Sequence, residues 1–238
     1  MSAAAGPVVH LLCAGAAKGV VEALQVDFRA ATGAALDATF GAVGAIVERL
    51  DEGAPCDAIV LTATMIDALA AAGRVLPGTM AALGRVRTGV AVRDGTPAPA
   101  VGDAGALRAA LVGARAVYIP DPERSTAGRH FVDVVRRLGI EDAVRARWRP
   151  YPNGATAMRA LADAREAGLL GCTQVTEIRY TAGVALVGML PAEFELATVY
   201  TAVVLRDARE AALAGEFVQW LTGARSLALR SAGGFETT

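Results

Sequence analysis

The chain has 238 residues, a formal net charge of −1 and 54% hydrophobic residues, which suffices for one large domain or two small ones. The nearly balanced charge argues against a nucleic-acid partner, because proteins that bind nucleic acid usually present a basic surface. The sequence has no run of about 18 apolar residues, so we expect no membrane insertion.

The amino terminus and the cysteines bear on the cellular compartment. The segment "MSAAAGPVVHLLCAG" lacks the basic region of a secretory signal, so the sequence as it stands predicts a cytoplasmic protein. A periplasmic location is the alternative if a native signal has been removed. Cys13, Cys56 and Cys172 lie far apart and form no CxxC pair, which favours buried or half-buried free thiols over metal ligands or nucleophiles.

The first third of the chain alternates short apolar runs with helical patterns. Strands are predicted at 8–14, 35–41 and 57–63. Between the first two strands, Val21, Leu24 and Phe28 recur at helical spacing. After the third strand, Thr64 and Asp67 have the spacing of a capping box that starts a helix. This β-α-β-α-β-α order is typical of a parallel sheet covered by helices.

The remainder of the chain predicts a second α/β unit and a terminal helix. Strands are predicted within 85–99 and 195–205 and in the segments "ARAVYIP" and "LLGCTQV". Helices are predicted for "TAGRHFVDVVRRLG", for 154–168 and for "AREAALAGEFVQWLTG". The segment 144–150 is expected to be a solvated connection, with Trp148 folded against the second unit.

Ligands of parallel sheets bind beyond the carboxyl ends of the strands, where helices begin. This rule selects the turns that follow the predicted strands as candidate binding segments. They are Cys13–Lys18, Gly41–Gly44, Thr62–Thr64, Asp121–Arg129 and Gln174–Glu177.

Several segments resemble one known family. The stretch "FGAVGAIVERLDEGAPCDAIVLTATMIDALAAAGRV" looks like the first lobe of molybdate-type solute-binding proteins, and "FVQWLTGARSLALRSAGGFE" resembles the end of that family's chain. The resemblance implies an α/β, two-lobed type II periplasmic-binding-protein fold with a ligand cleft between the lobes. It implies lobe 1 at 1–87 plus 203–238, lobe 2 at 88–202, and hinge strands near 86–93 and 197–205.

The sequence differs from the family in the turns that bind the family's oxyanion ligand. Molybdate-type binders use serine hydroxyls in the first two turns, and here Ala16, Ala42 and Val43 stand in those turns. Gln174 takes the place of a family tyrosine. Each lost hydroxyl removes a hydrogen bond to a charged oxygen, worth ~1.5–3 kcal/mol. We therefore expect a ligand other than molybdate, tungstate or sulfate.

The groups that replace the serines favour a small carboxylate anion. Lys18 adds positive charge at a helix start, and Gln174 offers both a donor and an acceptor. The expected ligand-binding residues are Ala16, Ala17, Lys18, Ala42, Val43, Thr62, Thr64, Ser125, Thr126, Gly128 and Gln174. For Ser125 and Thr126, ordinary helix capping is the other interpretation. For Lys18, it is a solvated side chain.

The segments "RTGVAVRDGTPAP", "GCTQVTEI" and "VGMLPAEFE" also resemble a branch of this family similar to aconitate isomerase. The resemblance implies an enzyme that works without a metal or a cofactor. Moving a double bond needs a base beside a carboxylate and donors for the developing charge. Lys18, His130 and Glu177 are the candidate catalytic residues. His130 could instead lie on a helix surface and Glu177 at a strand exit, while His10 is expected to be a hydrogen-bonded core residue.

Three functions therefore remain open: a transport binder, an isomerase and an intracellular ligand sensor. The binder would work with an ABC permease if it is exported. The chain is expected to be a monomer or a weak dimer.

Overall fold

The computed structural model describes residues 6–237. They divide into two units. Unit 1 takes the described residues up to Arg85 and those from Thr198 onward, and unit 2 is the single stretch Val86–Ala197. The chain therefore crosses from one unit to the other twice.

The strands, in chain order, are β1 (Val8–Ala14), β2 (Ala35–Gly41), β3 (Ala58–Thr62), β4 (Ala81–Arg93), β5 (Ala116–Pro120), β6 (Trp148–Tyr151), β7 (Leu169–Gln174), β8 (Val184–Met189) and β9 (Ala197–Val204). The helices are α1 (Lys18–Thr32), α2 (Val43–Asp51), α3 (Ala63–Ala71), α4 (Ala104–Gly113), α5 (Thr126–Arg137), α6 (Glu141–Val144), α7 (Gly154–Asp163), α8 (Val175–Tyr180), α9 (Ala211–Thr222) and α10 (Leu227–Gly233).

The sheet of unit 1 is centred on β1, which pairs in parallel with both β2 and β3. Strand β9 pairs antiparallel with β3, so the last part of the chain completes the sheet that the first part begins. All five residues of β3 are buried, as a strand covered on both faces requires. Phe28 of α1 packs edge-on against Phe217 and Trp220 of α9, with ring centroids 5.0 and 5.4 Å apart. This contact fastens α9 to the first helix.

The sheet of unit 2 has β5 between β6 and β7, all three parallel. Strand β4 pairs antiparallel with β7 and, on its other side, with β8. Phe131 of α5 is fully buried in the core and meets the Trp148 ring edge-on, with centroids 5.6 Å apart. The expected packing of Trp148 is thus confirmed, but the segment around it is α6, a 3-10 turn and β6 rather than a solvated connection.

Two further expectations from the sequence were wrong. The helix after β3 begins at Ala63 with Thr62 at its N-cap position, so Thr64 and Asp67 form no capping box. His10 lies in β1 as predicted, but its side chain remains 32% exposed, with Nδ1 3.2 Å from a carboxylate oxygen of Asp37. β1 is covered less completely at its amino end than a purely apolar pattern suggests.

The free thiols were predicted correctly. Cys13 and Cys172 are buried and Cys56 is partly buried, and none forms a disulfide. Burial raises the pKa of the Cys56 thiol to about 12 and that of Cys172 to about 12, so both stay protonated and unreactive at neutral pH. Within residues 6–237, no helix combines the length and the apolar character needed to cross a bilayer.

Candidate functional site

In unit 1, three helix N-termini meet at one edge of the sheet. Strands β1, β2 and β3 run parallel and end at Ala14, Gly41 and Thr62, and α1, α2 and α3 follow directly or after a 3-10 turn. In the described part of the chain, no side chain caps any of these helices, and none has an acidic residue in its first turn. Their first N–H groups and the positive ends of their dipoles favour an anion at this edge.

The predicted ligand-binding residues of unit 1 all lie at this edge. Ala16 and Ala17 form the 3-10 turn before α1, and Ala42 and Val43 start α2. These four residues are buried. Their small or branched apolar side chains supply no hydrogen bonds, so any polar contact they make to a ligand comes from the backbone.

Lys18 begins α1 and is the one lysine among the 238 residues. Its Nζ lies 3.5 Å from a carboxylate oxygen of Glu22, one helical turn further on, and 5.5 Å from the centroid of the Phe40 ring. Phe40 is the penultimate residue of β2, so the ammonium lies at the edge where β2 ends. The side chain is 18% exposed. Lys18 is thus held against the sheet edge rather than extended into solvent.

Thr62 and Thr64 stand where β3 gives way to α3. Their hydroxyl oxygens are 3.2 Å apart, and one of the two hydroxyls donates to the other. The hydroxyl that accepts this hydrogen bond can still donate its own proton to a ligand. The pair therefore adds one side-chain donor beside the α3 N-terminus.

In unit 2, the corresponding edge lies beyond the parallel strands β5, β6 and β7, and side chains of the chain itself cap two of its helices, α5 and α7. Ser125 caps α5 by accepting a hydrogen bond of 3.4 Å from the Gly128 N–H. Oδ1 of Asp121 accepts from the N–H groups of Glu123 and Arg124. Asn153, which the sequence reasoning missed, caps α7 by accepting from the Thr156 N–H at 2.8 Å. The starts of α5 and α7 therefore have fewer N–H groups left for a ligand than the uncapped starts of α1, α2 and α3.

Gly128 was predicted to let a ligand approach the backbone. The structure gives it another task, because a Cβ at this position would overlap the carbonyl oxygens of Asp121 and Pro120. The start of α5 is therefore pressed against the end of β5, and glycine is the residue that fits. Thr126 is half-buried at the first helical position of α5.

His130, a candidate base, is committed to the backbone. Its Nε2 lies 2.7 Å from the carbonyl oxygen of Phe194, to which it donates a hydrogen bond. Arg137, two turns further along α5, donates to the carbonyl of Glu193 at 2.6 Å. The two side chains together tie the short turn around Phe194 to α5, a role that the sequence could not reveal.

Glu177, another candidate base, is the most connected carboxylate of unit 2. It is buried, Thr173 Oγ1 donates to it at 2.5 Å, and the N–H groups of Gly154, Ala155 and Gln174 also donate to it. Burial raises the pKa of this carboxyl, and the four donors oppose that rise. A Cβ on Gly154 would overlap the carboxylate itself. Glu177 thus joins the end of β7 to the starts of α7 and α8.

Gln174, the last residue of β7, differs from Glu177 because its side chain lacks hydrogen-bond partners. Both its Oε1 and its Nε2 are buried, and neither has a hydrogen-bond partner within the described residues. The same holds for the hydroxyls of Thr88 and Thr176. An unpaired buried polar group costs about 1–3 kcal/mol, and native proteins rarely keep several together without a use for them.

Two cavities within the described residues lie apart from the predicted residues. A cavity of about 340 Å³ in unit 1 is bordered by His10, Asp57 and Arg74, and one of about 420 Å³ in unit 2 by Val92, Pro97 and Leu169. In the described part of the chain, no three His, Cys, Asp or Glu side chains are grouped to hold a metal ion.

Comparison with known proteins gives a consistent result. The family model described as "Bacterial extracellular solute-binding protein" matches residues 9–236. An aconitate isomerase of Pseudomonas sp. is 27% identical over 229 residues, covering 92% of this chain and 84% of that protein.

Solved structures give the fold. The periplasmic molybdate-binding protein of Azotobacter vinelandii superposes with a TM-score of 0.79 at 23% identity, over 97% of this chain and 99% of its own. The sulfate-binding protein of Mycobacterium tuberculosis gives 0.74 at 16% identity, over 96% of this chain and 86% of its own. The chain therefore has the type II periplasmic-binding-protein fold and belongs to the bacterial extracellular solute-binding protein family.

Proposed function

We propose that this protein binds a small carboxylate anion, and that the sheet edge of unit 1 supplies the positive potential for it. The observation that carries the proposal is the meeting of α1, α2 and α3 at this edge with neither capping side chains nor acidic first turns, beside Lys18. N–H groups at helix starts and one ammonium form a set of donors suited to an anion.

The apolar side chains at these helix starts support an organic anion over a tetrahedral oxyanion. A compact oxyanion offers charged oxygens in every direction and gains from hydrogen-bond donors on several sides. Ala16, Ala42 and Val43 offer none and instead present surface against which a carbon skeleton can pack. As a solute-binding protein, the chain would deliver this ligand to an ABC permease.

The similarity to an aconitate isomerase supports a second candidate, a cofactor-free isomerase acting on an unsaturated polycarboxylate. In such a reaction a base removes a proton beside the double bond, the double bond shifts, and a proton returns at the other end of the allylic unit. Electrons and atoms balance without an oxidant. The contacts of His130 and Glu177 support structural roles for both, which leaves Lys18 as the candidate to hold the developing charge.

The single lysine permits a direct test of binding. Reductive methylation with ¹³C-formaldehyde places an NMR-active methyl pair on Lys18 and another on the amino terminus, and the Lys18 signal is assigned by its absence from Lys18→Arg. Titration with tricarballylate, citrate and malonate should move the Lys18 signal saturably. Sulfate and molybdate at the same concentrations should leave it in place. A Lys18 signal that no carboxylate moves would overturn the proposed role of this edge.

Calorimetry with Lys18→Ala gives the affinity of the unmodified protein. We expect carboxylate affinity to fall about tenfold, because a charge-assisted hydrogen bond is lost while the N–H groups remain. Arg225→Ala is the control and should leave the affinity unchanged, because Arg225 is exposed in the 3-10 turn after α9, where its guanidinium stacks on Trp220.

Catalysis is tested separately by proton NMR of cis- and trans-aconitate in D₂O with a small amount of protein. Interconversion of the two acids, or entry of deuterium, would establish the isomerase. Binding without either would leave the protein a binder alone.

A further inference from the structure

Three buried polar side chains of unit 2 share one end of the sheet. Gln174 is the last residue of β7, and Thr88 of β4 is its register partner, so the two side chains stand side by side on one face. Thr176 follows two residues later in the first turn of α8. All three side chains are more than nine-tenths buried, and within residues 6–237 none of their polar atoms meets a hydrogen-bond partner.

The chemistry of these groups specifies what can satisfy them. A hydroxyl can donate or accept, and the Gln174 amide nitrogen can only donate, so a carboxylate oxygen satisfies all of these atoms. The Gln174 carbonyl oxygen can only accept. An ionised oxyanion has no proton to give it, so a ligand that carries oxyanions alone leaves this oxygen unpaired.

The nearby carboxylate does not change this conclusion. Glu177, on the same short helix as Thr176, already accepts from Thr173 and from three backbone N–H groups. It is therefore not free to pair with a ligand ammonium. The Gln174 carbonyl oxygen is the unpartnered group at this end of the sheet that can only accept, and as a neutral oxygen it suits a hydroxyl donor better than a full positive charge.

We infer that the ligand is a hydroxy acid, whose hydroxyl donates to the Gln174 carbonyl oxygen while a carboxylate oxygen accepts from the Gln174 amide or from Thr88. The inference rests on the proposed carboxylate binding and narrows it from carboxylates in general to those with a hydroxyl. Gln174 is then the residue that selects this class. Compact oxyanions are rejected because they cannot supply the missing proton.

Matched pairs of acids test the inference by calorimetry. Citrate and tricarballylate differ by one hydroxyl, as do malate and succinate. The native protein should bind the hydroxy acid of at least one pair about tenfold or more tightly than its deoxy partner, which corresponds to about 1.4 kcal/mol. Equal affinity within each pair would overturn the inference while leaving carboxylate binding intact. Failure of all four acids to bind would instead count against the proposed function.

Substitution of Gln174 identifies the source of the preference. Gln174→Met keeps the size of the side chain and removes both polar atoms, so the preference should shrink to less than about threefold. Gln219→Met, on the exposed surface of α9, is the control and should keep the native ratio. An unaltered ratio in Gln174→Met would overturn the assignment to this residue.

The unfolding temperature supplies a readout that is independent of the ligand. Gln174→Met removes two unpaired buried atoms, so the ligand-free variant should unfold at the same or a higher temperature than the native protein. A lower unfolding temperature would show that the amide already has structural partners and would overturn the inference. If Gln174→Met fails to fold, Thr88→Val, which is nearly isosteric, tests the same end of the sheet.

Discussion

Glu177 offers the sharpest test of whether a candidate base is a structural residue. In Glu177→Gln, one acceptor oxygen replaces two, while the donors remain Thr173 Oγ1 and the N–H groups of Gly154, Ala155 and Gln174. An amide oxygen accepts two hydrogen bonds, so at least two of the four donors lose their partner. Each unpaired buried donor costs about 1–2 kcal/mol, and removing a buried charge recovers part of that sum. We expect a net loss of about 2 kcal/mol in the free energy of unfolding.

Urea denaturation followed by circular dichroism measures this loss, with Glu166→Gln as the matched control. Glu166 is exposed, so its substitution should change the free energy of unfolding by less than about 0.5 kcal/mol. If Glu177→Gln is as stable as the native protein while isomerisation of aconitate disappears, the reasoning fails. Glu177 would then be a catalytic base and its four hydrogen bonds would contribute little to stability.

Three further predictions concern the same edge of unit 2. Because burial raises the pKa of Glu177, its protonated form is favoured in the folded state. The stability of the native protein relative to Glu177→Gln should therefore increase as the pH falls from neutrality toward the ordinary pKa range of a carboxyl group; a constant difference across urea titrations would contradict this. Gly128→Ala should lower the free energy of unfolding by at least about 2 kcal/mol, because the added methyl overlaps the Asp121 carbonyl; a change below about 0.5 kcal/mol in thermal or urea unfolding would refute that packing. Ser125→Ala should cost only about 0.5 kcal/mol, since its capping bond is long at 3.4 Å, and should leave carboxylate affinity in calorimetry unchanged; a loss of affinity would return Ser125 to the binding residues.

The sequence predicted the fold well because its signals are local. Alternation of apolar runs with helical patterns was enough to predict β1, β2 and β3 and the helices between them. The wrong prediction for the start of α3 was also local, because two neighbouring threonines could each begin the helix. Thr64 and Asp67 have capping-box spacing, yet α3 begins at Ala63, two residues earlier than that spacing requires.

The site was harder because its chemistry depends on contacts between distant segments. His130 donates a hydrogen bond to the carbonyl of Phe194, 64 positions later, and no periodic pattern in the sequence predicts such a contact. Glu177 is held by the start of α7, more than twenty positions earlier in the chain. The one available signal was Gly154 directly after a capping asparagine, since a glycine at a helix start can mark a neighbour that needs the space of a side chain.

The position of Gln174 was predicted, but its lack of partners was not. The sequence shows an amide at the end of a predicted strand, and only the structure shows that this amide and the nearby hydroxyls of Thr88 and Thr176 are buried without partners. The same applies to Lys18, whose distance from Phe40 depends on how β2 ends.

The discontinuity of unit 1 has a consequence for biosynthesis. During translation, all of unit 2 emerges from the ribosome as one continuous stretch of chain. The sheet of unit 1, in contrast, stays incomplete until β9 has also been translated. During that interval the outer edge of β3, a strand whose residues are all buried in the finished protein, has no neighbour to hydrogen-bond with. Unpaired apolar strand edges are where chains aggregate, so the interval before Ala197–Val204 emerges is when a nascent chain of this protein most needs a chaperone.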